Sequence, residues 1–357
     1  MNRFLSLVRS NVIDLSPYES ARSLTLGGSV FLDANESPIS CLEHSCLNRY
    51  PEPQPRLLLE RLSRIYGVSP SMLLIGRGSD EAIDLLIRAF CEPGRDRILV
   101  CPPTYGMYEI CAKIQGAQVV RVPLILDSDN FYLNESGIQE AFVKNQNVKI
   151  IFLCSPNNPT GTLFNVDSVI GICELAQDKC LVVIDEAYIE FKENGSHIES
   201  LSRFSHLVIL RTLSKAWAAA GARCGVAVAH SDIIQMLKKI IAPYPLSSPA
   251  IGAILEATDF DHQSLLQLRI QNTLSERERL GAALRELELV QCVYPSATNF
   301  LLVRFFNSKN VFDFLKSRGI IVRNRGGEKN LENCIRITVG SEKENQLLIT
   351  SLLEVAK

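Results

Sequence analysis

HLVILRTLSKAWAAAGARCGVAVAH, His206 to His230, is the stretch from which the fold is read. Leu207 to Leu210 is a run of leucine and β-branched residues that reads as a buried strand. A polar turn follows at Thr212-Leu213-Ser214-Lys215, then an alanine-rich segment, then a second apolar strand from Cys224 to Ala229. Lys215 thus stands at a strand end, beside two hydroxyls and with Arg223 shortly after it. Lysine is protonated and non-nucleophilic in water, and serves imine chemistry when burial or a nearby cation lowers its proton affinity. Taken alone, a lysine after a strand is more often a surface residue.

The rest of the chain tips that balance. Upstream, apolar strands at Leu73–Ile75, Arg97–Cys101, Gln118–Val122, Lys149–Cys154 and Cys180–Ile184 alternate with helical patterns. Those helices are read at Leu57–Tyr66, from Ser79 onward, and at Tyr105–Gln115, Ile138–Lys144 and Val166–Gln177. Strands apolar throughout, alternating with helices, predict an α/β fold with a mostly parallel sheet between helix layers. Ligands of such sheets lie beyond the carboxyl ends of the strands. Gly78-Ser79-Asp80, Ser155-Pro156-Asn157-Asn158, Asp185-Glu186-Ala187-Tyr188 and Thr212 to Lys215 each follow a strand, so they are expected to meet at one edge. Ser79 is expected to cap its helix, with Asp80 and Glu81 in the first turn.

After Ile241 the pattern changes, beginning with Pro243-Tyr244-Pro245. Helices at Leu246–Thr258 and Ser264–Leu289 precede a strand (Asn299–Phe305), a helix (Val311–Arg318), two strands (Ile320–Arg323, Cys334–Val339) and a final helix (Lys343–Val355). That run predicts a small α+β domain. The expected division is 46–260 for the large domain and 261–357 for the small one. The N-terminal segment 1–45, with a short strand at Val30–Asp33, is expected to pack with the small domain.

Composition narrows the function. A chain of 357 residues suits about two domains. Lys+Arg 37 against Asp+Glu 39 gives a net charge of −2, which offers no reason to expect nucleic acid or an anionic membrane as partner. No apolar run approaches the roughly 18 residues that a membrane span requires. The N-terminus is interrupted by Arg3, Arg9 and Asn11 and reads as a docking helix rather than a targeting peptide. Most of the eleven cysteines lie in apolar runs, where they act as small hydrophobes. Cys41-x2-His44-x-Cys46 looks like half a zinc site but has no second pair, so no metal is expected. Reduced thiols without a signal peptide point to a cytoplasmic protein.

The strand-end residues carry a coherent chemistry. Asp185 ends the run Leu181-Val182-Val183-Ile184, where a carboxylate is costly without a cationic partner. The protonated ring nitrogen of pyridoxal phosphate would be one, and its protonation makes the ring an electron sink. A helix cap or structural ion pair is the competing reading. Tyr188 and Asn158 would hydrogen-bond the cofactor's phenolate oxygen, although Asn158 before Pro159 also suits an ordinary turn. Ser79 and Asp80 open a helix whose free N–H groups attract a phosphate, and Thr212, Ser214 and Arg223 add hydroxyls and a guanidinium. Tyr105 would stack on the ring or serve as a core aromatic.

In this order and spacing, Asn158-Pro159-Thr160-Gly161, Asp185-x2-Tyr188 and Ser214-Lys215 with Arg223 resemble the fold-type-I pyridoxal-phosphate aminotransferases. Tyr18-Glu19-Ser20-Ala21-Arg22, Asn48-Arg49-Tyr50-Pro51, Pro102-Pro103-Thr104-Tyr105-Gly106-Met107-Tyr108, Ala242-Pro243-Tyr244-Pro245 and Arg336-Ile337-Thr338-Val339-Gly340 are similar to stretches of the histidinol-phosphate aminotransferase branch. The resemblance runs from about Tyr18 to the last helix and implies a large domain that binds pyridoxal 5'-phosphate. It implies that Lys215 forms the Schiff base and transfers the proton, with Asp185, Asn158 and Tyr188 on the cofactor ring. It implies a homodimer in which Tyr50 reaches the phosphate of the other subunit. The implied substrates are histidinol phosphate and glutamate/2-oxoglutarate, with Arg336, Arg323 and Tyr18 contacting them. One pocket must then accept a phosphomonoester and a carboxylate in turn, a task suited to guanidinium forks. Tyr18 and Tyr105 are expected to wall the imidazole or phosphate end. Trp217 stands where the family usually has phenylalanine, and the loop Asn324-Arg325-Gly326-Gly327 follows no pattern the resemblance supplies. A phosphothreonine decarboxylase or an aromatic aminotransferase of the same fold is the alternative. A transcription regulator with an aminotransferase-like domain would need an attached DNA-binding segment, for which the residues before Tyr18 leave no room.

Overall fold

The computed structural model describes residues 6–18, 30–43 and 45–355. Its centre is a seven-stranded sheet. In chain order the strands are β1 (Leu73–Gly76), β2 (Arg97–Val100), β3 (Gln118–Arg121), β4 (Val148–Cys154), β5 (Leu181–Asp185), β6 (Leu207–Thr212) and β7 (Gly225–Ala229). Their spatial order is β1-β7-β6-β5-β4-β2-β3. Pairing is parallel from β6 through β5, β4 and β2 to β3, whereas β7 runs antiparallel to both its neighbours.

Strands β5, β6 and β7 are buried at every position. Polar–apolar alternation is absent because both faces are covered. Val182 and Ile184 join one apolar cluster, with Leu58 and Leu62 of the helix Arg56–Tyr66 and Val169 and Ile172 of the helix Val166–Ala176. Leu181 and Val183 join the other, with the helices Ser79–Phe90 and Ser231–Ile240. At about 25 cal/mol per Å² of apolar surface removed from water, these two layers supply the main driving force for the fold.

A second unit contains the antiparallel sheet β8 (Val290–Val293), β9 (Phe300–Phe305), β10 (Arg323–Asn324) and β11 (Cys334–Thr338), in the order β8-β9-β11-β10. The long helix Phe260–Arg285 leads into it, and the helices Ser308–Ser317 and Glu342–Val355 cover it.

Register then positions the functional ends. Cys154 lies opposite Asp185, and Asp185 opposite Leu210, so β4, β5 and β6 finish side by side. Gly225 lies between Thr212 on one side and Gly76 on the other. A Cβ on Gly225 would stand 2.1 Å from both the Gly78 carbonyl carbon and the Ser79 nitrogen. Only glycine lets the start of the helix Ser79–Phe90 sit down on β7.

Several expectations need correction. Val30–Asp33 forms no strand, and Val30 and Leu32 are exposed. Gly78, at φ 89°, occupies the cap position, and Ser79 is the first helical residue with no side-chain capping bond. Residues 6–13 pack on the large unit, not the small one. Leu7, Val8 and Val12 join the cluster around the helix Ser79–Phe90, and the Arg9 amide donates to the Ala89 carbonyl at 3.0 Å. Residues 1–5, 19–29, 44 and 356–357 lie outside the described residues, and with them most of the Tyr18–Arg22 stretch and His44 of the zinc-like motif. Among the described residues no group of three or more potential ligands is placed to hold a metal, and no helix is long and apolar enough to cross a membrane.

Three elements escaped the sequence reading. The helix Ser231–Ile240 is capped by the His230 imidazole, which accepts the Asp232 amide at 3.3 Å, and histidine is not a usual cap. The hairpin Ile125–Asp127 with Asn130–Tyr132 turns through Ser128 at φ 57°, in a run too polar for a strand pattern. The strand Val290–Val293 follows the long helix with only a short break.

Gly225→Ala is expected to lower stability by about 3 kcal/mol, at the upper end of overpacking penalties because the clash is with backbone. Thermal unfolding checks this; an unchanged midpoint would contradict the packing described.

Candidate active site

At the carboxyl edge of the large sheet is a cavity of about 240 Å³. Its walls include Ser79, Asp80, Tyr105, Asn158, Asp185, Tyr188, Thr212, Ser214, Lys215, Arg223 and Arg336. The four strand-end clusters read from the sequence thus converge on one space, and β11 of the small unit adds Arg336.

Asp185 forms the floor. It is 2% exposed. Its Oδ2 accepts the Tyr108 hydroxyl at 2.8 Å and its Oδ1 accepts the Ala187 amide at 3.2 Å. Among the described residues it has no ion-pair partner. Burial pushes its carboxyl up to about 6, against the pull of those two donors and, more weakly, of Lys215. The turn after Asp185 is tied to β6 by Arg211, whose Nε lies 3.1 Å from Glu186 Oε2 and whose guanidinium donates to Glu190 Oε1 at 3.2 Å.

Lys215 stands across the cavity. Its Nζ lies 5.5 Å from the centre of the Tyr188 ring, and among the described residues it makes no hydrogen bond or ion pair. The residue is open to the solvent that fills the cavity. Partial burial first, and Arg336 next, lower its proton affinity, while Asp185 and Asp80 work the other way. An amine of this kind is poised for attack on a carbonyl.

One end of the cavity is built for an anion. The helix Ser79–Phe90 points its N-terminal end, with no side-chain cap, at this part of the cavity. Thr212 Oγ1 and Ser214 Oγ stand 3.0 Å apart beside it. Arg223, at φ 52°, is held in the left-handed region, and a Cβ on Gly78 would lie 2.6 Å from its Nη2. Asp80 faces Arg223 at 3.7 Å and accepts the Tyr105 hydroxyl at 2.9 Å.

The opposite wall holds a second cationic group. Arg336 donates to Asn158 Oδ1 at 2.5 Å and covers the Phe300 ring at 5.2 Å. Asn158 Nδ2 lies 3.4 Å from the Tyr188 hydroxyl. Arg323 lies directly opposite Arg336 in the β10–β11 register but is exposed and does not line the cavity. Tyr18 is exposed, and Tyr50 stacks on Tyr244 with ring centres 4.4 Å apart; neither lines this cavity.

The sequence model of aminotransferase class I and II matches residues 24–352. A histidinol-phosphate aminotransferase of Escherichia coli O6:K15:H31 is 46% identical over 349 residues, covering 97% of this chain and 96% of that protein. The chain belongs to the histidinol-phosphate aminotransferases of class I and II. Among solved structures, the histidinol-phosphate aminotransferase of Sinorhizobium meliloti in complex with pyridoxal-5'-phosphate is similar at 27% identity and TM-score 0.79, over 87% of this chain and 83% of that one. That of Clostridium acetobutylicum is 25% identical with TM-score 0.78, over 87% and 91%. The family is pyridoxal-phosphate dependent, and the α/β fold expected from the sequence is the one these relatives share.

Sequence reading missed Cys154, which lines the cavity, and Tyr108, which braces its floor. Tyr108 lies three residues after Tyr105, a helical spacing that was a usable signal.

The raised carboxyl of Asp185 has a consequence for stability. The folded chain holds that proton more tightly than the unfolded chain does. Asp185 therefore lowers stability as pH rises from its ordinary 3.8 to about 6, and the loss is complete above that. A shift of that size corresponds to about 3 kcal/mol. In ligand-free protein, Asp185→Asn is expected to raise the denaturation midpoint above pH ~6 and to leave it unchanged near pH ~3.5. A variant less stable than the parent at neutral pH would contradict the uncompensated burial.

Proposed function

We propose that this chain transfers the amino group of L-histidinol phosphate to 2-oxoglutarate, giving 3-(imidazol-4-yl)-2-oxopropyl phosphate and L-glutamate in ping-pong order. The observation that carries this reading is a single cavity that holds an unpaired lysine amine, a buried carboxylate without a cation, and a helix start flanked by hydroxyls and a guanidinium.

Those three parts fit pyridoxal 5'-phosphate. When bound, the cofactor supplies an electrophilic aldehyde and a ring that stores electrons. Lys215 Nζ would hold the aldehyde and then carry the proton to and from the substrate Cα. Asp185 would keep the proton on the ring nitrogen, gaining the cation it lacks. Ser79, Asp80, Thr212, Ser214 and Arg223 would hold the phosphate. Tyr188 and Asn158 would hydrogen-bond the phenolate oxygen, and Tyr105 would wall the ring.

Arg336 would take the anionic end of either amino substrate, with Arg323 as a second guanidinium and Tyr18 near the entrance. Arg323 faces Arg336 across the strands, a like-charge pairing that an anion between them would relieve. A homodimer accounts for Tyr50, which would reach the phosphate of the other subunit. Exposure of the apolar residues Val30, Leu32, Ile39, Leu42 and Leu57 in the same stretch of chain supports a partner surface in that stretch.

The test is a comparison of kcat/KM with 2-oxoglutarate as acceptor. Histidinol phosphate is expected to exceed phenylalanine by at least about 100-fold, roughly what a buried anion contact supplies, and carbon dioxide release from phosphothreonine should be absent. Equal values for histidinol phosphate and phenylalanine would favour an aromatic aminotransferase. Arg336→Ala is expected to raise KM for both glutamate and histidinol phosphate by roughly 10- to 100-fold, the worth of a charge-assisted bond. An effect on one substrate alone would contradict a shared anion site.

A further inference from the structure

Two tyrosines three residues apart brace the two carboxylates of the cavity. Tyr105 donates to Asp80 Oδ1 at 2.9 Å, and Tyr108 donates to Asp185 Oδ2 at 2.8 Å. Tyr105 lines the cavity, whereas Tyr108 lies beneath it with no exposed surface. The Tyr108 ring is fixed independently of its hydroxyl. It stacks on Phe152 of β4 with ring centres 4.7 Å apart and planes 10° apart, and it meets Tyr105 edge-on at 5.7 Å. Ring packing and the hydroxyl bond therefore hold the side chain through separate atoms.

We propose that Tyr108 is a positioning residue of the aminotransferase reaction, fixing the carboxylate of Asp185 in the orientation and charge state in which it meets the cofactor ring nitrogen. The inference rests on the cofactor-binding reading above. Its physical basis is the small number of groups that reach Asp185. Tyr108, Tyr105, Tyr188, Cys154, Asp80 and Lys215 are the titratable neighbours on the elements around it. Only Tyr108 among them bonds it directly. The remaining donor, the Ala187 amide, holds the other oxygen at the longer distance of 3.2 Å. Burial lifts the Tyr108 phenol far above its ordinary range, so it stays a donor at every working pH. A phenol that cannot ionise gives Asp185 a fixed hydrogen bond without adding a second charge. With that bond made, a carboxylate too buried for water to orient keeps one geometry.

Tyr108→Phe removes the hydroxyl and leaves the stacked ring. Phe152→Leu removes the stack and leaves the hydroxyl. Both are examined in holoprotein for pyridoxal phosphate dissociation constant, for kcat and KM separately, and for the pH midpoint of the bound cofactor's visible band. Tyr108→Phe is expected to weaken cofactor binding about tenfold, to lower kcat about tenfold with substrate KM within twofold, and to displace the pH midpoint. Phe152→Leu is expected to lower the thermal midpoint without displacing the pH midpoint. In cofactor-free full-length protein, the pH at which Asp185 costs stability should rise in Tyr108→Phe and the dependence should vanish in Asp185→Asn. That arm reads the Tyr108–Asp185 bond without cofactor. Wild-type protein that binds no pyridoxal phosphate would sink the functional reading. Tyr108→Phe with wild-type cofactor affinity, kcat and pH midpoint would overturn the positioning role.

Discussion

A carboxylate is buried at the end of the central strand β5 with two hydrogen-bond donors and no cation. Burial of that carboxylate is costly, and its two donors offset only part of the cost. An isolated charge in such surroundings either finds a partner or takes up a proton, and Asp185, with its carboxyl raised to about 6, stands between the two. Its neighbours are arranged around the same gap. Tyr108 fixes one oxygen and the Ala187 amide the other, while the Arg211 pairs with Glu186 and Glu190 pin the chain just beyond. Arg211 thus pairs with Glu186 and Glu190 next to a carboxylate that has no ion pair among the described residues. A carboxylate held this way has the sign to meet a cationic ligand group, which under the proposed function would be the ring nitrogen of pyridoxal phosphate.

The sheet makes the gap useful. Parallel register brings Cys154, Asp185 and Leu210 level, so loops after three strands open on one side. The antiparallel strand β7 then lets Gly225 stand between Gly76 and Thr212. Its missing side chain draws the start of the helix Ser79–Phe90 down beside the hydroxyls of β6. The helix start, the hydroxyls of Thr212 and Ser214, the acidic floor and the lysine amine are thereby brought around one cavity by the strand ends that precede them. The small unit contributes Arg336, whose bond to Asn158 crosses between the two sheets. Under the proposed function, substrate selection and cofactor binding would thus draw on different parts of the chain.

Much of this was legible in the residues. Strands without alternation announced a sheet covered on both faces, and polar clusters after each strand announced the edge where a site forms. Lys215, Asp185, Tyr188, Asn158, Thr212, Ser214 and Arg223 line one cavity because each belongs to such a cluster. What was not legible has physical reasons. Tyr108 looks like any core aromatic until the helix that carries it is set against β5. The packing of residues 6–13 depends on a long-range apolar surface that no local pattern encodes. Ser79 looked like a cap because serine is a good one, but Gly78 takes that position with a backbone angle closed to other residues. Tyr50, Tyr18 and Arg323 do not line the cavity, so the roles proposed for them need groups beyond those that this chain places there.

Chemical trapping addresses the central claim most directly. Holoprotein reduced with sodium borohydride, digested and mapped by mass spectrometry is expected to carry the cofactor's mass on the peptide containing Lys215. The same mass on a peptide containing any other lysine, or on none, would contradict the account.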